Sequence, residues 1–243
     1  MLTAALLTIV LTASPADADL AYRKVSVYDG HVTFEIPAGW EEIPPEVLEA
    51  HSLRMAESTG GLLTEVYQHG FRTTDPEVDF VLPECLIQIR ESGRLSYRQF
   101  LELPSIDEMH SVAGEAVADR RWPAVRGLEL SDAVFDRDTF SLHLHNTLDL
   151  SYESETTVES IAFLTERGLF TIHFYVRTSQ VDTMAPVYAH IFESVHFDDD
   201  LRYRPRLSDR LPARSPLILL AAAILIGLAA ISFHLSQRRL RQP

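Results

Sequence analysis

Two stretches of the chain alternate strictly between apolar and polar residues. Over residues 140–145, Phe140, Leu142 and Leu144 alternate with Ser141, His143 and His145. Over residues 170–176, Phe170, Ile172, Phe174 and Val176 alternate with Thr171, His173 and Tyr175. Successive side chains of an extended chain point to opposite sides, so period two predicts strands with one apolar face. Residues 158–164 read as a third strand between them, and Glu166, Arg167 and Gly168 as the turn into the next. An antiparallel meander is the simplest connection for three such strands.

The N-terminal part repeats the pattern on a shorter scale. Residues 24–28 and 31–36 are alternating runs around Asp29-Gly30, which predicts a hairpin with a type I′ turn and Val32, Phe34 and Ile36 facing the core. Pro37, Ala38 and Gly39 then break the strand before Trp40, a ring large enough to cover the edge of a core. Pro44-Pro45 opens a predicted helix to about residue 57, which Thr59, Gly60 and Gly61 end. Strands are predicted over 62–71 and 84–90, a second helix starts near Ser96, and 106–120 fits a helix or a long loop. From Thr183 to Val195 the period changes to that of a helix, with Met184, Val187, Ile191, Phe192 and Val195 on one stripe. Thr183 is the expected N-cap, with Pro186 in the first turn.

Periodicity disappears in residues 217–235, which hold no Asp, Glu, Lys or Arg, and only Ser232 and His234 as polar residues. Nineteen residues at 1.5 Å each make a helix of about 28 Å, close to the hydrocarbon thickness of a bilayer. One C-terminal transmembrane helix is therefore expected, followed by a basic cytoplasmic tail, 236–243. Ala223 and Gly227 have the spacing of a close-packing helix face, although small residues are frequent there. At the other end, an apolar run from Leu2 to Ala13 precedes Ala16-Asp17-Ala18, which predicts a signal peptide over 1–18. The expected organisation is then an extracytoplasmic α+β domain over 19–200 and an Arg/Pro-rich solvated linker over 201–216. The outer flank carries five arginines against three in the tail, and the leader decides the orientation because it commits the domain to export first.

Charge narrows the partners. Residues 19–200 hold 33 acidic against 13 basic side chains, a net of -20, whereas eight Arg and one acid follow. A surface so acidic repels phosphate backbones, so no nucleic-acid partner is expected. The expected partners are membrane lipid, through the span, and a protein of unspecified identity. Cys85 is the sole cysteine and excludes an internal disulfide; it shares a strand face with Ile87 and Ile89 and reads as a buried apolar thiol.

A hairpin whose second strand ends in Phe34, Glu35, Ile36, Pro37, Ala38, Gly39 and Trp40 precedes a helix and antiparallel strands. The domain closes on a helix running into Phe192, Glu193, Ser194, Val195, His196 and Phe197. This order resembles the PsbP-like and DcrB-like superfamily, α/β/α sandwiches built on an antiparallel sheet, over about residues 22–197. The resemblance implies a binding or accessory role, as in an extrinsic subunit of photosystem II. It transfers no functional residue, and the C-terminal span is not part of the family pattern.

The sharpest candidate chemistry is a metal site at His143, His145 and His173. His143 and His145 project from one strand face roughly 7 Å apart, and a neighbouring His173 would complete a set suited to zinc or copper. The competing reading is a plain polar sheet face. Asp198, Asp199 and Asp200 lack the ligand spacing of a calcium loop and are expected to pair with Arg202, Arg204 and Arg206. There is no G-x-S-x-G, no H-E-x-x-H and no Gly-rich phosphate loop. The expectation is a membrane-anchored binding or accessory module without a cofactor or catalytic activity; the alternative is a metal-binding or hydrolytic domain using the histidine-bearing face.

Overall fold

The computed structural model describes residues 20–58, 66–73, 82–98, 125–150, 155–206 and 209. Its first element is the expected hairpin. Strand β1 (Tyr22–Val27) pairs antiparallel with β2 (Val32–Pro37), Val27 opposite Val32. The connection is one residue longer on each side than a two-residue turn. Positive φ begins at Tyr28 (54°) and continues through Asp29 (55°) and Gly30 (90°). Only glycine enters that region without strain, so Gly30 lets the chain reverse while His31 N–H donates to Tyr28 O at 3.0 Å. A short closing strand, β10 (His196–Phe197), pairs with the other side of β2 and completes a three-stranded sheet.

The second sheet has seven strands in the order β3-β4-β5-β9-β8-β7-β6, and every neighbouring pair is antiparallel. These are β3 (Trp40–Glu42), β4 (His69–Thr73), β5 (Glu84–Arg90), β6 (Val125–Asp136), β7 (Ser141–Leu150), β8 (Thr156–Leu164) and β9 (Leu169–Arg177). The predicted meander is β7-β8-β9. Helix α1 (Pro45–Ser58) begins where Pro45 suits a first turn. Helix α2 (Val181–Glu193) is fed by a 3-10 turn at Thr178–Gln180, so it starts two residues before the expected Thr183 cap. Pro186 therefore lies inside the helix rather than in its first turn.

The large sheet buries both faces, and its strands contribute to them unequally. Phe170, Ile172, Phe174 and Val176 of β9 face the small sheet and α2, meeting Val32, Phe34, Ile36, Val187 and Ile191. Leu142 and Leu144 of β7 face the other way, into a second cluster with Leu130, Ala162, Leu164, Leu169 and Tyr203. Helix α1 is on that second side: a Cβ on Gly70 of β4 would meet Leu86 at 2.9 Å and Leu48 of α1 at 3.1 Å. With α2 on one side of the sheet and α1 on the other, the described chain is a sheet-dominated α+β fold of sandwich type.

The linker reading is corrected at its start. Leu201 and Tyr203 are buried, and Asp209 is only 2% exposed. The cause is Arg94, whose guanidinium donates to both Asp209 oxygens (2.7 and 2.6 Å), to Glu166 Oε1 (3.0 Å) and to Arg204 O (2.7 Å). The same guanidinium lies 4.5 Å over the Tyr203 ring, and the Tyr203 hydroxyl donates to Asp209 at 2.9 Å. A bidentate pair of this kind offsets much of its own desolvation and fixes the chain in one position. The predicted leader, the rest of the linker, the span, the tail and residues 106–120 lie outside the described residues. Among the described residues no helix is long and apolar enough to cross a membrane.

Two predictions follow from packing. Asp209→Ala removes the bidentate partner of Arg94, leaving it the Glu166 carboxylate, and should lower the unfolding free energy by about 2 kcal/mol in urea titrations. The Arg94 hydrogen bonds hold the Asp209 carboxyl at about 2, below the ordinary 3.8, so this contribution is present above pH 3.8 and is lost as pH falls through about 2. Gly168, at φ +151°, has room for no Cβ: one would lie 1.9 Å from Arg90 O. Gly168→Ala should cost at least about 2 kcal/mol by the same measurement, and an unchanged midpoint would contradict the β8-β9 turn described here.

Candidate functional site

Strand register decides which side chains meet. His143 sits opposite Val134 of β6 and Ile161 of β8, and His145 opposite Asp132 and Glu159. All of these project toward the side where α2 crosses. Between α2 and the three strands lies a groove of about 250 Å³. Tyr188, Ala189, Phe192 and Glu193 come from the helix, and Asp132, His143, His145 and Glu159 from the sheet.

Within the groove, His145 Nδ1 lies 2.5 Å from Glu159 Oε1. The His143 ring meets Phe192 edge-on with centroids 6.4 Å apart, and its Nε2 is 3.3 Å from Ser141 Oγ. Burial lowers the His143 pKa from the ordinary imidazole value, with Asp136 and Glu159 opposing the shift. Burial also raises the Tyr188 hydroxyl, assisted by the carboxylates of Glu159 and Asp182. The result is a cleft with an aromatic wall, three carboxylates and two imidazoles. Such a surface suits a cationic group carried on an apolar stem.

His173 is not part of it. In the ladder it stands opposite Leu86 and Ser160, so it points to the second face, with Leu144 rather than His143 or His145. It is fully buried, its Nδ1 lies 3.1 Å from Ser160 Oγ, and its Nε2 has no hydrogen-bond partner among the described residues. The expected three-histidine set is therefore divided by the sheet: an odd residue of β7 and an odd residue of β9 face opposite ways in this register. Burial, with a smaller contribution from Arg90, pushes the His173 pKa down to about 3.

A second buried ionisable group shares that face. Among the described residues neither Glu84 oxygen has a hydrogen-bond partner, and burial pushes its carboxyl up to about 8 against the opposing pull of Arg72. Cys85, its neighbour, is buried as expected, and burial followed by the Glu84 charge pushes its thiol up. Asp132, Glu159 and Tyr188 were not expected as site residues. Glu159 is readable only once the register sets it beside His145.

Comparison with known proteins adds little at the level of sequence: no family model matches the chain, and no curated protein matches it. Solved structures do. PsbP (CyanoP) of Synechocystis sp. PCC 6803 is 13% identical, with 77% of this chain and 99% of that one covered and a TM-score of 0.47. The Ran-binding protein Mog1p of Saccharomyces cerevisiae is 10% identical over 73% and 96%, with a TM-score of 0.42. LpqN of Mycobacterium tuberculosis, described as involved in cell envelope biogenesis, is 12% identical over 72% and 90%, at 0.36. Each is a similarity of chain course between proteins of low sequence identity.

Glu84 and His173 together predict the pH profile of stability. Folded Glu84 keeps a proton between 4.5 and about 8 that the unfolded chain releases, so stability falls as pH rises through that window. Folded His173 refuses a proton between about 3 and 6.5 that the unfolded chain takes, so stability falls as pH drops through that window. Each slope is about 1.4 kcal/mol per pH unit, and the two cancel where the windows overlap. For these two groups, urea titrations should give a plateau from 4.5 to 6.5 with a decline on either side. Glu84→Gln should flatten the alkaline decline, and an alkaline limb unaltered by that change would contradict the burial of Glu84.

Proposed function

We propose that this chain is a binding or accessory module, held at a membrane by residues 217–235 and displayed outside the cytoplasm. Its groove receives a basic, partly apolar segment of a protein partner. The observation that carries the reading is the groove itself. Tyr188 and Phe192 offer apolar contact while Asp132, Glu159 and Glu193 supply negative charge beside it. The surrounding domain, net -20 over residues 19–200, reinforces attraction for a cation at range.

The docked tail supports placement near the lipid surface. Arg94 holds the chain as far as Asp209, which leaves residues 210–216 before the apolar stretch. Seven extended residues reach at most about 25 Å, so the groove would operate within one domain's width of the headgroups. Arg210 and Arg214 in that short tether are suited to anionic headgroups, while the acidic domain is repelled by them.

Fluorescence anisotropy with short peptides tests the groove. Peptides combining Lys or Arg with Leu or Phe should bind the full chain in detergent and weaken with added salt, and peptides with Glu in place of the cations should not bind. Glu193→Lys, on the exposed rim of the groove, should weaken binding at least tenfold, about 1.4 kcal/mol, with the thermal melt unchanged. Equal binding by the variant would remove the groove from the account.

A further inference from the structure

A second group of ligating side chains lies well away from the groove. His31, in the β1-β2 turn, and Asp198 and Asp200, just past β10, bring one nitrogen and two carboxylate oxygens within 4.8 Å of one another. His31 Nδ1 lies 3.4 Å from Asp198 Oδ2 and 3.6 Å from Asp200 Oδ1. That nitrogen is buried and makes no hydrogen bond among the described residues, although two carboxylates face it. The contacts are too long and too poorly aimed for hydrogen bonds. They match the edges of a coordination tetrahedron, which span about 3.3 Å when metal–ligand bonds are about 2.0–2.1 Å.

The backbone holds the ligands in this relation. Asp198 N–H donates to His31 O at 2.9 Å, so the turn and the chain leaving β10 are tied together independently of the side chains. The second Asp200 oxygen accepts from Arg167 at 3.1 Å, which turns Oδ1 toward the imidazole. A donor on the far oxygen is the usual way that a ligating carboxylate is oriented. Asp199, between the two, points away and pairs with Arg204 at 3.4 Å. A run of acids alone would suit calcium or nothing, whereas an imidazole among the ligands selects borderline metals.

We propose that His31, Asp198 and Asp200 form a site for a divalent transition metal of the zinc type, with water completing the coordination on the exposed side. One ion there would staple the N-terminal hairpin to the point where the chain turns toward its docked tail. The proposal is independent of the groove and of its partner.

The test uses the untagged full-length chain in detergent, titrated with zinc by calorimetry and with cobalt by visible absorption. One-to-one zinc binding, an intense tetrahedral cobalt spectrum and a raised melting temperature are expected. His31→Ala and Asp198→Asn should each weaken zinc at least tenfold, while Asp199→Asn and His145→Ala leave it unchanged. No saturable binding, a preference for calcium, or binding that survives both His31→Ala and Asp198→Asn would overturn the site.

Discussion

The register of the β7-β8-β9 ladder is the constraint from which the rest of the molecule follows. Leu144 opposite Ser160 opposite His173 defines one face, and His145 opposite Glu159 opposite Phe174 defines the other. A slip of one residue would exchange every side chain between those faces, taking Phe170, Ile172 and Phe174 away from the small sheet and α2 and burying Glu159 with His145. Burial of the three apolar β9 side chains alone is worth several kcal/mol, so no alternative register competes.

Because both faces are buried, the sheet needs cover on both. The small sheet and α2 cover the β9 end of one face but pass only partly over β7 and β6, and the groove is the uncovered remainder. On the second face the docked tail contributes Tyr203 to the cluster around Leu142 and Leu144. Arg94 thus serves the core as well as the tether, since releasing Asp209 would also release Tyr203. The same double cover leaves Glu84 and His173 deep inside without full hydrogen-bond partners, and each is held neutral near pH 6 by burial.

Much of the sheet was legible in the chain because alternation survives where one face is apolar. Residues 84–90 coincide with β5, and the predicted 158–164 strand is β8 with two residues added. Strand β6 escaped notice because bulges between Val125 and Gly127 and between Leu130 and Asp132 break its period, so no alternating run exists to find. The histidine set failed for a different reason. Period two tells which residues of one strand share a face, but it carries no information on which faces of two strands coincide; that depends on register. The His31 group and the Arg94 clamp join residues more than a hundred positions apart, which no local pattern encodes.

The direct test of the ladder is the reactivity of its histidines. Brief treatment of the native protein with diethylpyrocarbonate, followed by peptide mass analysis, should modify His143 and His145 and leave His173 unmodified until the protein is unfolded. Modification of His173 in the native state at the rate of the other two would place all three imidazoles on one accessible face and contradict the register on which the account rests.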